Sequence, residues 1–84
     1  MTGHIEAQIR GVVAEHAALH IPVDTLADDA DLFQAGMTSF SSVNVMLALE
    51  ETFGIEFPDA MLTRETFTSI TSIARAIETV APPT

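Results

Sequence analysis

The chain has 84 residues, 12 acidic and 3 basic side chains, a formal net charge of −9 at pH 7, 48% hydrophobic residues and no Cys, Trp or Tyr. That length supports one small domain with a single core, burying only about two-thirds of the unfolded surface, which makes a deep enzyme pocket improbable. The charge disfavours nucleic acid and anionic membranes, because only Arg10, Arg64 and Arg75 could neutralise phosphates.

Without Cys there is no disulfide, thiolate zinc site or cysteine nucleophile, so any thiol chemistry must use a group added from outside. No basic stretch leads into an apolar segment near Met1, and no run of about 18 apolar residues occurs. Neither a secretory signal nor a membrane span is expected, and the expected compartment is the cytoplasm.

Residues 4–20 read as a helix, with Ile5, Ile9, Val12, Val13 and His16 on one face. Glu6 and Arg10 stand at the spacing of a surface ion pair, and Pro22 marks the end. Residues 21–37 lack a period and read as a long loop with a short turn near Asp31–Gln34. A second helix is predicted over 39–53, capped by Thr38 or Ser39 and stopped at Gly54. Ile55-Glu56-Phe57 forms an extended link ended by Pro58, and Asp59 can cap a short third helix over 59–65. Thr68 or Ser69 opens the last helix, whose Ile70, Ile73, Ile77 and Val80 share a face. Residues 81–84 read as a frayed tail. The sum is all-α: a monomeric single domain over 1–84, a small four-helix bundle with three main helices, a short third helix and a long loop between the first two.

The second helix carries two apolar stripes. Val45, Met46, Leu49 and Phe53 make a sufficient core face, while Phe40, Val43 and Leu47 lie nearly opposite, among Asn44, Glu50 and Glu51. A small bundle cannot easily bury both, so the second stripe is expected to be at least partly exposed and to meet a partner. The competing reading is that the loop, through Leu32 and Phe33, or the short third helix covers it. Ser39 stands beside this stripe at a helix start, where unsatisfied amides would stabilise a phosphodiester by about 0.3–1 kcal/mol. On these grounds alone, a plain cap is the ordinary role of such a serine.

From Leu32 to Ile77 the sequence resembles the acyl carrier protein family. The resemblance rests on Leu32-Phe33, on Gly36-Met37-Thr38-Ser39-Phe40 and on Leu49-Glu50-Glu51-Thr52-Phe53-Gly54-Ile55-Glu56-Phe57-Pro58-Asp59. The Thr68-Ser69-Ile70 start and the Ile73-Ala74 to Ile77 spacing fit as well. The resemblance implies a four-helix fold and 4′-phosphopantetheine carried on Ser39, delivered from coenzyme A by a magnesium-dependent phosphopantetheinyl transferase. It implies a non-catalytic carrier that shuttles a thioester-bound acyl or aminoacyl group between partner enzymes. By the same resemblance, Met37, Thr38, Phe40, Val43, Asn44, Leu47, Glu50 and Glu51 become candidates for partner docking. Thr38 departs from the family pattern, in which most members have Asp, and Ser41, Ser42 and Asn44 make the helix start unusually neutral. The Gly-Met-Thr-Ser run and the helix after it are similar to small bacterial carriers charged with amino acids by ligases resembling truncated aminoacyl-tRNA synthetases. An acyl-activating enzyme is the competing loader, and acyl-transfer enzymes would act downstream.

Other constellations carry less. His16 and His20 are four apart, but no third ligand is near, and Asp28, Asp29 and Asp31 lack the glycine and terminal glutamate of a calcium loop. No metal site is expected. No Gly-x-Ser-x-Gly elbow or triad histidine supports a hydrolase. The alternative function is an unmodified acidic helical interaction module using the same exposed stripe.

Overall fold

The computed structural model describes residues 2–80, with side chains from residue 5 onward; the expected tail at 81–84 lies outside the described residues. Its order is α1 (Thr2–His16), a 3-10 turn (Val23–Thr25), α2 (Ser39–Phe53), a second 3-10 turn (Asp59–Met61) and α3 (Ile70–Val80). The described residues contain no strand. α1 packs against both α2 and α3 and touches the first 3-10 turn. Ile9 and Val13 of α1, Val45 and Leu49 of α2, and Ile70 and Ile73 of α3 are all fully shielded from solvent, with Leu32 of the loop among them. The predicted core stripes therefore meet, although Met46, Phe53 and Val80 are only partly buried at the edge. Phe57 and Phe67 close the connector between α2 and α3 as an edge-to-face pair, with centroids 5.5 Å apart and planes at 79°.

α1 ends four residues earlier than its predicted limit. The Ala17 amide makes a last helical bond to the Val13 carbonyl (2.9 Å), and Ala18 then takes a left-handed φ of 58°. This turn puts Leu19 against the core and lets the His20 amide donate to the Ala35 carbonyl at 2.9 Å. His16 is exposed rather than on the buried face, and His20 is no longer its helical neighbour. The expected Glu6–Arg10 pair is also replaced. Arg10 donates to the carbonyls of Val23 (2.7 Å) and Leu26 (2.8 Å) and to Asp28 Oδ1 (2.6 Å). One fixed guanidinium fork satisfies three acceptors at once, more than a surface partner on the same helix offers.

That clamp explains how the long loop holds its shape. The Asp28 carbonyl accepts from the Thr71 amide (2.9 Å), and the Leu32 amide donates to the Thr68 carbonyl (2.7 Å), tying the loop to the entry of α3. Ser69, not Thr68, caps that helix: its hydroxyl accepts from the Ser72 amide, and the Ser72 hydroxyl accepts from the Ser69 amide, both at 3.0 Å.

The predicted third helix over 59–65 is instead the single 3-10 turn Asp59–Met61 followed by further turns. The N-cap position falls on Pro58, which has no side-chain acceptor, rather than on Asp59. Leu62 leaves helical geometry at φ −84°, ψ 66°. The chain thus has three α-helices among the described residues.

Candidate functional site

Residues 31–39 deliver a serine to the start of α2 through two successive turns. Asp31 Oδ1 accepts from the amides of Phe33 (2.8 Å) and Gln34 (3.3 Å), which starts the first. The Met37 amide then bonds the Leu32 carbonyl (3.0 Å) and the Gly36 amide bonds the Phe33 carbonyl (3.2 Å), with Gly36 at a φ of +122°. This pairing of an outer and an inner bond around a positive-φ glycine is how helices commonly stop, and it brings Leu32 and Met37 together below the turn. Both are buried. Met37, expected on the docking surface, is therefore a core residue with 3% exposure, because the turn directs it inward.

The second turn is the cap of α2. Thr38 has extended backbone (φ −107°, ψ 169°), and its Oγ1 accepts from the Ser41 amide at 3.0 Å. The Ser41 hydroxyl in turn accepts from the Thr38 amide at 2.9 Å. Two orphan amides are satisfied reciprocally, with serine in the place more often held by glutamate. Ser41 is 5% exposed while Thr38 is exposed, so the box reaches from the surface into the protein. Its role was legible from its spacing, three residues after Thr38, but reading Ser41 only as neutral surface missed it.

The consequence falls on Ser39. Since Thr38 does the capping, the Ser39 hydroxyl is not used for it. This side chain is exposed at the first residue of α2 and makes no hydrogen bond among the described residues, where only its carbonyl is engaged, by the Ser42 hydroxyl at 2.7 Å. No acidic residue lies in the first turn of α2. The helix end thus presents a free hydroxyl beside unpaired amides and a positive dipole end, with no carboxylate from the turn to oppose an anion. A phosphodiester on this oxygen fits: there is no bond to break and no buried atom to displace.

Beside Ser39 lies an open groove of about 310 Å³, lined by Val43 and Met46 of α2 and by Leu62, Arg64 and Phe67 of the connector. Arg64 places its guanidinium carbon 4.0 Å from the centroid of the Phe33 ring, joining connector and loop across the groove. Sequence reading had no signal for this, because Arg64 and Phe33 are far apart in the chain and share no local pattern.

The outer face of α2 is apolar and open. Phe40 is 80% exposed, Leu47 54% and Val43 49%. The loop and the connector leave this stripe uncovered, as the two-stripe reading of α2 expected. Asn44 and Glu51 are exposed with it, and together with Leu47 they border a second hollow whose other wall includes His16. Glu50 differs from the expectation for it: it is half-buried, and its Oε2 accepts from the Phe57 amide at 2.9 Å, so its carboxylate helps to fix the connector. No group of three or more potential metal ligands occurs among the described residues. No helix there is long and apolar enough to cross a membrane.

The family model described as "Phosphopantetheine attachment site" matches residues 7–77. The chain is 47% identical over 76 residues to the aminoacyl carrier protein of Agrobacterium fabrum, covering 90% of this chain and 92% of that protein. Among solved structures, it superposes with a TM-score of 0.88 and 49% identity on a chain from an engineered Bradyrhizobium japonicum glycine:[carrier protein] ligase complexed with carrier protein from Agrobacterium tumefaciens and ATP. That match covers 90% of this chain and 99% of the other. A chain from the Bradyrhizobium japonicum ligase complexed with glycylated carrier protein matches at a TM-score of 0.66 and 29% identity, covering 89% and 96%.

Proposed function

Because this chain belongs to the acyl carrier protein family and holds a phosphopantetheine attachment site, we infer that Ser39 is the residue that bears the arm and that the cargo is an amino acid, with glycine the first candidate. The protein is a carrier and not an enzyme. When attached, 4′-phosphopantetheine supplies the thiol that a chain without Cys lacks, and so the means to hold cargo as a thioester. The observation that carries the Ser39 reading is the division of labour at the start of α2: Thr38 and Ser41 cap the helix, and the neighbouring hydroxyl stays exposed and unbonded among the described residues. The cargo reading is supported by the relatives, whose names specify aminoacyl carriage and a glycine ligase.

The chain's own residues have two tasks. The cap fixes where Ser39 stands, so that a phosphopantetheinyl transferase can reach it. The outer face of α2, with Thr38, Phe40, Val43, Asn44, Leu47 and Glu51, docks partners in turn: the transferase, an amino-acid ligase resembling a truncated aminoacyl-tRNA synthetase, and the downstream acyl-transfer enzymes. With few charges on the first turns of α2, this contact relies more on apolar burial than on electrostatic steering. Residues 1–84 act as one monomeric cytoplasmic domain. The connector after Pro58 is the counterpart of a short third helix of a four-helix bundle, represented here by its 3-10 turn.

Co-expression with a transferase followed by intact-mass measurement tests the site. The expected result is one arm per chain, absent in Ser39→Ala. Incubation of the loaded chain with ATP, glycine and a glycine:[carrier protein] ligase should add one glycyl group, which hydroxylamine releases as the hydroxamate by cleaving the thioester. Acylation only by a fatty-acid-activating enzyme would overturn the amino-acid reading, and a chain that accepts no arm from several transferases would leave the unmodified acidic interaction module.

A further inference from the structure

The three arginines of this acidic chain are not equivalent. Arg10 is spent on Asp28 and two carbonyls. Arg75 lies on α3, away from the groove beside Ser39. Arg64 is the cation lining that groove, and among the described residues no carboxylate stands within ion-pair distance of it. What holds Arg64 is a ring: its guanidinium carbon lies 4.0 Å from the Phe33 centroid. A guanidinium carries more N–H donors than its place over one ring can occupy, so donors remain for another acceptor. No hydrogen bond from those donors to another described residue is formed. Among the described residues, the groove therefore presents an anchored, unneutralised cation with unused donors, and Ser39, whose exposed hydroxyl is not hydrogen-bonded there, lines the same groove.

We propose that Arg64, braced on Phe33, is the binding group for the phosphodiester that joins the arm to Ser39, and that it leans the arm toward the connector side of α2. This rests on the Ser39 reading above. A guanidinium offers paired N–H donors that match two phosphate oxygens, whereas an ammonium acts as a point charge. The site is open to water, so the contact orients the arm at modest strength and weakens as salt screens it.

Nuclear magnetic resonance of the full chain, unloaded and loaded with 4′-phosphopantetheine, tests the assignment. Intact mass comes first: a chain that takes no arm at Ser39 overturns the underlying reading and this one together. In the loaded chain, the Arg64 Nε–H resonance is expected to move relative to the unloaded form while that of Arg75 stays. The phosphorus resonance is expected to shift in Arg64→Gln, with Arg64→Lys falling between it and the parent chain. Phe33→Leu keeps the cation but removes its brace, and should give a smaller phosphorus shift than Arg64→Gln. The difference between parent and Arg64→Gln should shrink as salt is raised. Loaded protein whose phosphorus resonance is the same in parent and Arg64→Gln, with an unresponsive Arg64 Nε–H, overturns the role of Arg64 and leaves Ser39 as the carrier site.

Discussion

Gly36 and Gly54 both take positive φ, yet they carry different weight. A Cβ on Gly36 would lie 2.7 Å from His20 Cδ2 and 2.9 Å from the His20 backbone nitrogen, which cannot rotate away. Gly54 has a φ of 64° and nothing within 4 Å of the same atom. Gly36→Ala should therefore cost at least about 2 kcal/mol of stability, and Gly54→Ala only about 1 kcal/mol, the strain of a left-handed alanine. Urea denaturation of the two variants measures the difference; equal costs would show that the His20 contact is not restrictive. The cap gives a second contrast at this scale. Thr38→Ala removes the acceptor for the Ser41 amide and should cost about 1 kcal/mol. Thr38→Asp keeps an acceptor in place, so stability should stay within about 0.5 kcal/mol while the rate of arm transfer changes. An unchanged rate across a panel of transferases would show that the departure from Asp at this position has no effect on recognition.

Within one helix, α2 separates stability from recognition. Leu49 is fully buried and Phe40 is 80% exposed, so truncating them should have opposite signatures. Leu49→Ala is expected to lose about 2–5 kcal/mol, the range for a core leucine. Phe40→Ala and Leu47→Ala should change stability by less than about 0.5 kcal/mol while weakening binding to the loading ligase by about tenfold or more. Thermal denaturation together with a ligase-binding isotherm distinguishes the two classes. A large stability loss in Phe40→Ala would place the ring in the core. The connector shows how an element predicted from sequence can fail to form: an N-cap position on Pro58 and a non-helical Leu62 leave one turn of 3-10 geometry, whereas α3, capped by the Ser69–Ser72 box, forms over the residues its period indicates.

Across the whole molecule, Arg10 is the tie between α1 and the loop that presents the site. Arg10→Met keeps the aliphatic stem but removes its bonds to Val23, Leu26 and Asp28, and should cost about 1–3 kcal/mol. Because the Asp28 carbonyl holds the Thr71 amide, hydrogen exchange at Thr71 should quicken in this variant more than at the Val45 amide in mid-α2. Uniform acceleration would mean that Arg10 stabilises the fold without any local hold on the loop. The positions of α2 and α3, their core stripes, the open face of α2 and the serine at its start were all legible in the sequence. Each is written in residues within a few turns of one another, where period, capping and motif spacing operate. The inward turn of Met37, the exchange of Glu6 for Asp28 as the partner of Arg10, the bond from Glu50 to the Phe57 amide and the meeting of Arg64 with Phe33 beside Ser39 were decided only by the tertiary structure. These depend on which backbone groups and rings the folded chain brings within a few ångströms, and a pairing across many residues leaves no local period to read.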